Sequence, residues 1–334
     1  MKLKELGEFK FIDRIADRFN NLLLPEYMGI GDDCAIIPYS EEEDLVFTTD
    51  MLIEDIHFLK NRIRPEQLGY KSLAANLSDI AGMGGEPVGS FLSIGIPADT
   101  DVEYLDAVMS GYHELSYKYQ VQLLGGDTTK SNKYLVINIG VIGKCKKGKA
   151  RLRSMAQSND IVCVTGFVGD SAGGLQILLD KLPETEDNVY LINCHHLPEP
   201  HVKEGIWLAQ HPGVHAMMDV SDGISSDLAH IIKASGKSAV VYLDKLPVSD
   251  TLKRVALEQD WDINRLATSV GEDYVLSCTI KAGEYKKINT GFRKSFSKEL
   301  FPIGEIIEGK NKIKWMKNGK EVSTDQHGWD HFNV

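Results

Sequence analysis

The sequence predicts an α/β or mixed α+β fold in two domains, and three observations carry that expectation. Apolar, β-branched runs alternate with segments of helical periodicity along the chain. The 334 residues exceed the roughly 150 expected of one domain. A basic, glycine-containing stretch, Lys144–Arg153, follows one strand pattern and precedes the next. It sets the expected boundary between domains 1–147 and 148–334.

Taken in order, Phe9, Ile12, Ile15, Ala16 and Phe19 recur at helical spacing and predict a short amphipathic helix. Strands are expected over Leu45–Thr49, Val88–Ile96, Gln122–Leu124 and Leu135–Ile142, where apolar residues run between turn signals. Beyond the boundary they are expected over Ile161–Thr165, Ala216–Val220, Ala239–Leu243, Tyr274–Thr279 and Leu300–Ile307. Helices are expected over Pro65–Met83, Val102–Tyr119, Ser171–Lys181, His201–Ala209, Ser225–Ser235 and Ser249–Gln259. The polar stretch Glu284–Lys298 receives no role. The acidic run Glu41–Asp44 reads as a solvated loop.

Composition narrows the function. With 43 % hydrophobic and 25 % charged residues the chain is ordinary globular protein, which excludes disordered and collagen-like classes. A net charge of −11 argues against a nucleic-acid binder that relies on a general basic field. Five scattered cysteines without a CxxC pair fit reduced thiols in a cytoplasmic protein. Charges interrupt the N-terminus, so no signal peptide is read, and no apolar run reaches the roughly 18 residues of a membrane span.

The acids are placed unusually. GIGDDCA holds Asp32 and Asp33, LVFTTD ends an expected strand with Thr48, Thr49 and Asp50, and NLSDIAGMGG carries Asp79. QLLGGDTT carries Asp127 just after a strand, MMDVSDGISSD supplies Asp219, Asp222 and Asp227, and SVGEDY supplies Glu272 and Asp273. Any one of these alone is common turn or cap chemistry. Together they flank apolar runs beside Gly, Ser and Thr, where backbone can approach a ligand closely. Convergent carboxylates repel at low dielectric unless cations bind between them. Oxygen ligands of this kind select Mg²⁺ or Mn²⁺, and Mg²⁺ commonly shares its shell with phosphates.

Familiar phosphate motifs are missing. The chain has no GxxxxGK[ST], no protein-kinase signature set and no HExxH. GFVGDSAGG at 166–174 reads either as strand–turn–helix packing or as a phosphate contact through helix amides. His195, His196 and His201 lie in CHHLPEPH, where two prolines break any metal-ligand spacing. Cys34 reads as a small buried residue.

The ordered series GIGDDCA, TTDMLIEDIHF, YKSLAANLSDIAGMGGEP, LLGGDTT, GFVGDSAGGL, DVSDGISSDLAHI, GEDY and GWDHF resembles the thiamine-monophosphate kinase family. That family belongs to the superfamily of aminoimidazole-ribonucleotide synthetase and selenophosphate synthetase. The resemblance runs from about Gly7 to Phe332. It implies a two-domain aminoimidazole-ribonucleotide-synthetase-like fold with mixed sheets and flanking helices, paired as a homodimer through the N-terminal domains. It implies ATP-dependent phosphorylation of thiamine phosphate to thiamine diphosphate, with several Mg²⁺ ions. By the same resemblance Asp33, Thr48, Thr49, Asp50, Asp79, Asp127, Asp219 and Asp222 look like metal ligands. Gly126, Asp127, Arg153 and Ser221 look like ATP contacts, and His57, Glu272 and Trp329 look like substrate contacts.

The residues alone leave alternatives beside these roles. His57 suits a phosphate partner or a backbone partner in a loop. Trp329 suits stacking on a cationic thiazolium or plugging the tail. Glu272 suits an amino-bearing substrate or a turn, and Asp273 reads as a strand-start turn acid. No general base is expected, because the acceptor is already an anionic phosphate oxygen. Another ATPase of the superfamily and a non-catalytic nucleotide or thiamine-phosphate sensor are the competing functions.

Overall fold

The computed structural model describes residues 3–322; Trp329 and the GWDHF motif lie outside the described residues. The N-terminal helices α1 (Leu3–Leu6) and α2 (Glu8–Phe19) precede the strands β1 (Ala35–Pro38) and β2 (Glu43–Ile53). Helix α3 (Pro65–Gly82), strand β3 (Glu86–Pro97), helix α4 (Val102–Tyr119) and strands β4 (Gln122–Ser131) and β5 (Val136–Lys146) complete the first half. These strands form a five-stranded sheet in the order β1-β2-β5-β3-β4. Only the β3–β4 pair is parallel among them.

A 3₁₀ turn at Arg153–Met155 leads into β6 (Asp160–Val164), α5 (Asp170–Asp180), α6 (Glu186–His196), α7 (Val202–Ala209), β7 (Val214–Asp219) and α8 (Ile224–Ser235). Strand β8 (Ser238–Tyr242), helices α9 (Asp250–Glu258) and α10 (Ile263–Ser269), and strand β9 (Leu276–Lys281) follow. Last come α11 (Tyr285–Phe296), β10 (Phe301–Ile307), β11 (Ile313–Lys317) and β12 (Lys320–Val322). Their seven-stranded sheet runs β12-β11-β8-β10-β6-β9-β7, with β8 and β11 parallel.

Helix α3 joins the halves. Pro65 suits a first helical position because its missing N–H would have no partner there, and the Gln67 side chain accepts the Arg64 N–H at 3.2 Å. Most helices bury one stripe, but α3 is buried all round. Between Gln67 and Gly82, every residue except Asp79 is buried. Leu73, Leu77 and Ile80 share one apolar cluster with Val214, Met217 and Leu276 of the second half. The two sheets are therefore wedged onto a common helix.

Several boundaries differ from those expected of the sequence. TTD lies in the middle of β2, because Asp50 pairs with Ile139 and the ladder continues to Ile53. GGDTT is part of β4, paired in parallel with β3, and is not a turn after a strand. The acidic run at 41–44 is only partly loop: Asp44 is buried in β2 and accepts the Gly148 N–H at 2.8 Å. Residues 285–296 form α11, anchored by Phe292 and Phe296 against Trp207 at 5.8 and 6.1 Å between centroids. Cys34 is buried as expected.

His201 precedes α7 in the core, with Nδ1 2.6 Å from Thr165 Oγ1. Burial, followed by the charge of Lys298, takes its pKa from 6.5 down to about 4. An unfolded chain protonates this imidazole below its ordinary pKa, whereas the folded chain holds it neutral to about 4. Its contribution is complete above about 6.5 and is lost as pH falls toward 4, by at most about 1.4 kcal/mol per pH unit. His201→Gln should therefore flatten the fall of the unfolding temperature between about pH 6.5 and 4.5. Parallel wild-type and variant profiles in thermal melts would contradict this.

Candidate active site

Strand alternation sends Thr48 and Asp50 to one face of β2 and Thr49 to the other. On the α3 side, Thr48 Oγ1 hydrogen-bonds Asp79 Oδ2, and Asn76 Oδ1 accepts the Asp50 N–H at 3.1 Å. The carboxyl groups of Asp50 and Asp79 are close enough to act on each other's ionisation. One residue before Asp79, Ser78 Oγ donates to Asp219 Oδ2 at 2.8 Å. Asp219 ends β7, so α3 draws an acid from the second half against those of the first.

Asp33 arrives from the loop before β1. The Arg153 guanidinium binds its Oδ1, with Nε at 3.0 Å, and the Arg153 N–H donates to Asp32 Oδ2 at 3.0 Å. Asp33 Oδ2 is buried and has no hydrogen-bond partner among the described residues. Gly82 permits this approach: a Cβ there would lie 2.3 Å from Asp33 Oδ2 and 3.0 Å from the Asp219 amide nitrogen. The loop after β7 then adds Asp222 and Ser221.

The electrostatic consequence follows from burial. Asp33, Asp50, Asp79 and Asp219 are all pushed up from ordinary carboxylate values, first by desolvation. Mutual repulsion adds to this, with Asp50, Asp219 and Asp33 all acting on Asp79. Asp222 rises to about 7, by burial and then by the charges of Glu8 and Glu272. Asp32 also rises to about 7, by burial and then by Asp33. Arg153 is the cation seated in this cluster, and its one charge does not balance the set.

These residues fit a hard divalent cation by donor chemistry: buried carboxylate oxygens, one unpartnered, and the Thr48 hydroxyl. Among the described residues, however, no three His, Cys, Asp or Glu side chains are arranged as a ready shell for a metal ion.

The expected metal ligands do not all meet. Thr49 Oγ1 accepts from Asn138 Nδ2 at 3.1 Å on the other face of the sheet. Gly126 lies in one cross-sheet row with Leu92, Ile139 and Asp50, and Asp127 in the next row with Ser93, Asn138 and Met51. Three strand spacings, about 14 Å, separate β4 from β2. Carboxylates that far apart do not ligate one ion, so Asp127 and Asp50 of one chain do not share a metal. Gly126 and Asp127 border an apolar cleft of about 560 Å³ under α4, lined also by Ile94, Leu105, Val108 and Met109.

On the opposite flank, the loop of Glu272 is fastened to the loop of Ser221. The Glu272 N–H donates to Ser221 O at 2.7 Å, and the Tyr274 N–H to Val220 O at 2.9 Å. Gly271 adopts φ +82°, and a Cβ there would lie 2.2 Å from Ser221 O. The Glu272 carboxylate meets Lys71 of α3 at 3.1 Å, a partner that motif reading did not single out.

His57 Nδ1 accepts the Ile53 N–H at 3.0 Å, so the backbone role is real. The neutral ring must then carry its proton on Nε2. For GFVGDSAGG the packing alternative holds: the Gly169 and Ser171 amides donate to Asp273 at 2.7 and 3.2 Å. Asp273 is thus the cap of α5, not only a turn acid. The signals for Asn76 and Ser78 lay within NLSDIAGMGG, one turn and one residue before Asp79.

Comparison with known proteins places the chain in a family. Residues 31–145 match the family model described as AIR synthase related protein, N-terminal domain, and residues 158–316 match its C-terminal domain. The thiamine-monophosphate kinase of Salmonella typhimurium is 38 % identical over 328 residues, covering 98 % of each chain. That of Bacillus subtilis is 35 % identical over 309 residues, covering 91 % of this chain and 93 % of the relative. Among solved structures, AaThiL complexed with AMPPCP and TMP superposes with a TM-score of 0.86 at 31 % identity, covering 99 % of both chains. With its acids gathered from both halves at one seam, and these likenesses spanning nearly its whole length, the chain belongs to the thiamine-monophosphate kinase family of AIR synthase-related proteins.

Proposed function

We propose that the acid cluster at the seam is where this chain performs ATP-dependent phosphorylation of thiamine phosphate to thiamine diphosphate. The observation that carries the reading is the convergence of Asp33, Asp50, Asp79, Asp219 and Asp222 beside a single Arg153. Similarity over nearly the full length to kinases of this name supports the same substrate pair, and a relative in complex with AMPPCP and TMP supports ATP as phosphate donor.

Magnesium ions held by these five aspartates and Thr48 would neutralise the phosphates of both partners, whose mutual repulsion is the main obstacle to transfer. The chain's own part is positioning. Asn76 and Ser78 fix Asp50 and Asp219 by hydrogen bonds, while Gly82 leaves room for Asp33. His57 is assigned to the acceptor phosphate on the family motif, with its ring oriented by the Ile53 N–H. Arg153 is assigned to the ATP phosphates, exchanging Asp33 for an anion when metal covers the acids. Ser221 and Asp222 share the loop to which Glu272 is fastened, which favours assigning Glu272 to the thiamine end. The terminal phosphate then passes in line to a phosphate oxygen, with no side chain required as general base.

Gly126 and Asp127 are assigned to the nucleotide on the family motif, while the apolar cleft beside them, lined also by Leu123 and Leu124, adjoins the surface assigned to the dimer. Thr49 is assigned with Asp127 on metal-bound nucleotide outside the buried cluster. Trp329 is assigned to the thiamine rings on the family motif alone. The same half of the chain carries a homodimer interface in this reading, supported by the exposed Val88, Phe91, Leu123 and Leu124 on β3 and β4. Among the described residues no helix is long and apolar enough to cross a membrane, and the scattered free thiols support a cytoplasmic setting.

The test is incubation with ATP, Mg²⁺ and thiamine phosphate, following ADP and thiamine diphosphate by chromatography, with EDTA and free thiamine as controls. Equimolar, metal-dependent products from the monophosphate only are expected. ADP alone would indicate another acceptor, and binding without turnover would indicate a sensor. Asp50→Ala should lower turnover on the order of 10²-fold or more, and an unchanged rate would remove Asp50 from the site. Gly82→Ala should raise the Mg²⁺ concentration for half-maximal rate and cost on the order of 10–100-fold in rate, with little change in melting temperature. A variant with wild-type Mg²⁺ dependence would show that Asp33 is not where metal binds.

A further inference from the structure

Lys71 is among the largest fully buried side chains of the described residues, 1 % exposed at the centre of α3. An ammonium so placed is costly unless paired and hydrogen-bonded. Its Nζ lies 3.1 Å from Glu272 Oε2 and 3.2 Å from His195 Nε2. Burial, then the charge of Lys71, pushes the His195 pKa well below its ordinary value, so the ring is neutral. As Lys71 donates to Nε2, the ring proton sits on Nδ1, which faces Ser171 Oγ at 3.0 Å. Glu272 Oε2 also stands 3.4 Å from Nδ1.

Two elements, α3 through Lys71 and α6 through His195, thus converge on one oxygen of a carboxylate that keeps 28 % of its side chain exposed, while Ser171 of α5 holds the His195 ring. A purely structural ammonium is served as well by a buried partner. Here the partner sits on the site loop fastened to Ser221, with a backbone φ of +58° that a side-chain-bearing residue holds only when its surroundings impose it. Asp79 lies eight residues further along the same rigid helix, about 12 Å away. One helix therefore sets the spacing between the phosphate-binding acids and Glu272.

We propose that Lys71 is a positioning residue for substrate selection. It holds one Glu272 oxygen so that the carboxylate meets the amino-bearing or cationic end of thiamine phosphate in a fixed direction. The proposal rests on the assignment of Glu272 under the kinase reading.

The test is a double-mutant cycle in the full-length protein with Lys71→Met, Glu272→Gln and the pair, measuring KM for thiamine phosphate, KM for ATP, kcat and melting temperature. Lys71→Met should raise KM for thiamine phosphate about tenfold, as expected for loss of a charged hydrogen bond, with KM for ATP within about twofold. In the Glu272→Gln background it should add less than about twofold, because Lys71 acts only through Glu272. If the Met variant does not fold, Lys71→Gln retains one donor and should give an intermediate rise with the same lack of additivity. Active wild type with an unchanged KM for thiamine phosphate in the Lys71 variant, or effects that multiply, overturns the proposal alone. Wild-type protein without turnover overturns the kinase reading, and the proposal with it.

Discussion

Everything at the seam depends on crowding negative charge where water is scarce. Asp33, Asp50, Asp79 and Asp219 come from four segments and two sheets, and burial raises the cost of ionising each. A cluster of this kind is destabilising unless it is protonated or covered by cations. Among the described residues Arg153 is the cation hydrogen-bonded to these acids, and the buried Lys71 pairs with Glu272 instead. The fold supplies small polar partners: the Thr48 and Ser78 hydroxyls donate to Asp79 and Asp219, and Asn76 Oδ1 accepts the Asp50 backbone N–H, which leaves the carboxylate charge to be met by something bound.

Helix α3 makes that placement possible. A helix buried on every side cannot tilt toward one sheet without opening the other, so its residues act as fixed pins. Asp79 is the one residue between Gln67 and Gly82 that is left open. Lys71 reaches the second half at one level, and Ser78 and Asp79 at another. The apolar cluster containing Leu73 and Ile80 extends to Met217 and Leu276, so losing the interface between halves also scatters the site.

Much of this was legible in the sequence. The alternation of strands and helices foretold most elements, because long apolar runs such as Val88–Ile96 leave few other choices. The Gly-, Ser- and Thr-flanked acids pointed to the right residues for the buried cluster. The gaps have physical reasons. Helix α6 lacks a clear apolar stripe and is announced only by Thr185, whose side chain caps the Asn188 N–H at 3.2 Å. Glycines at 125 and 126 read as a turn, yet they lie in an exposed edge strand, where Gly126 adopts φ +156° and a Cβ would lie 1.7 Å from Leu92 O. Thr49 and Asp50 are neighbours in sequence but face opposite ways, which only the pairing of β2 reveals. Lys71 gave no signal, since a lysine in a helix is ordinarily solvated. Its burial follows from the meeting of three helices.

The most direct test of a metal–phosphate site at the seam is to count bound Mn²⁺, a spectroscopic stand-in for Mg²⁺, by electron paramagnetic resonance with AMPPCP present. The account predicts more than one tightly held ion per chain with the nucleotide analogue, weaker binding without it, and loss of tight binding in Asp79→Asn. An unaltered ion count in that variant, or no tight Mn²⁺ with AMPPCP, would contradict it.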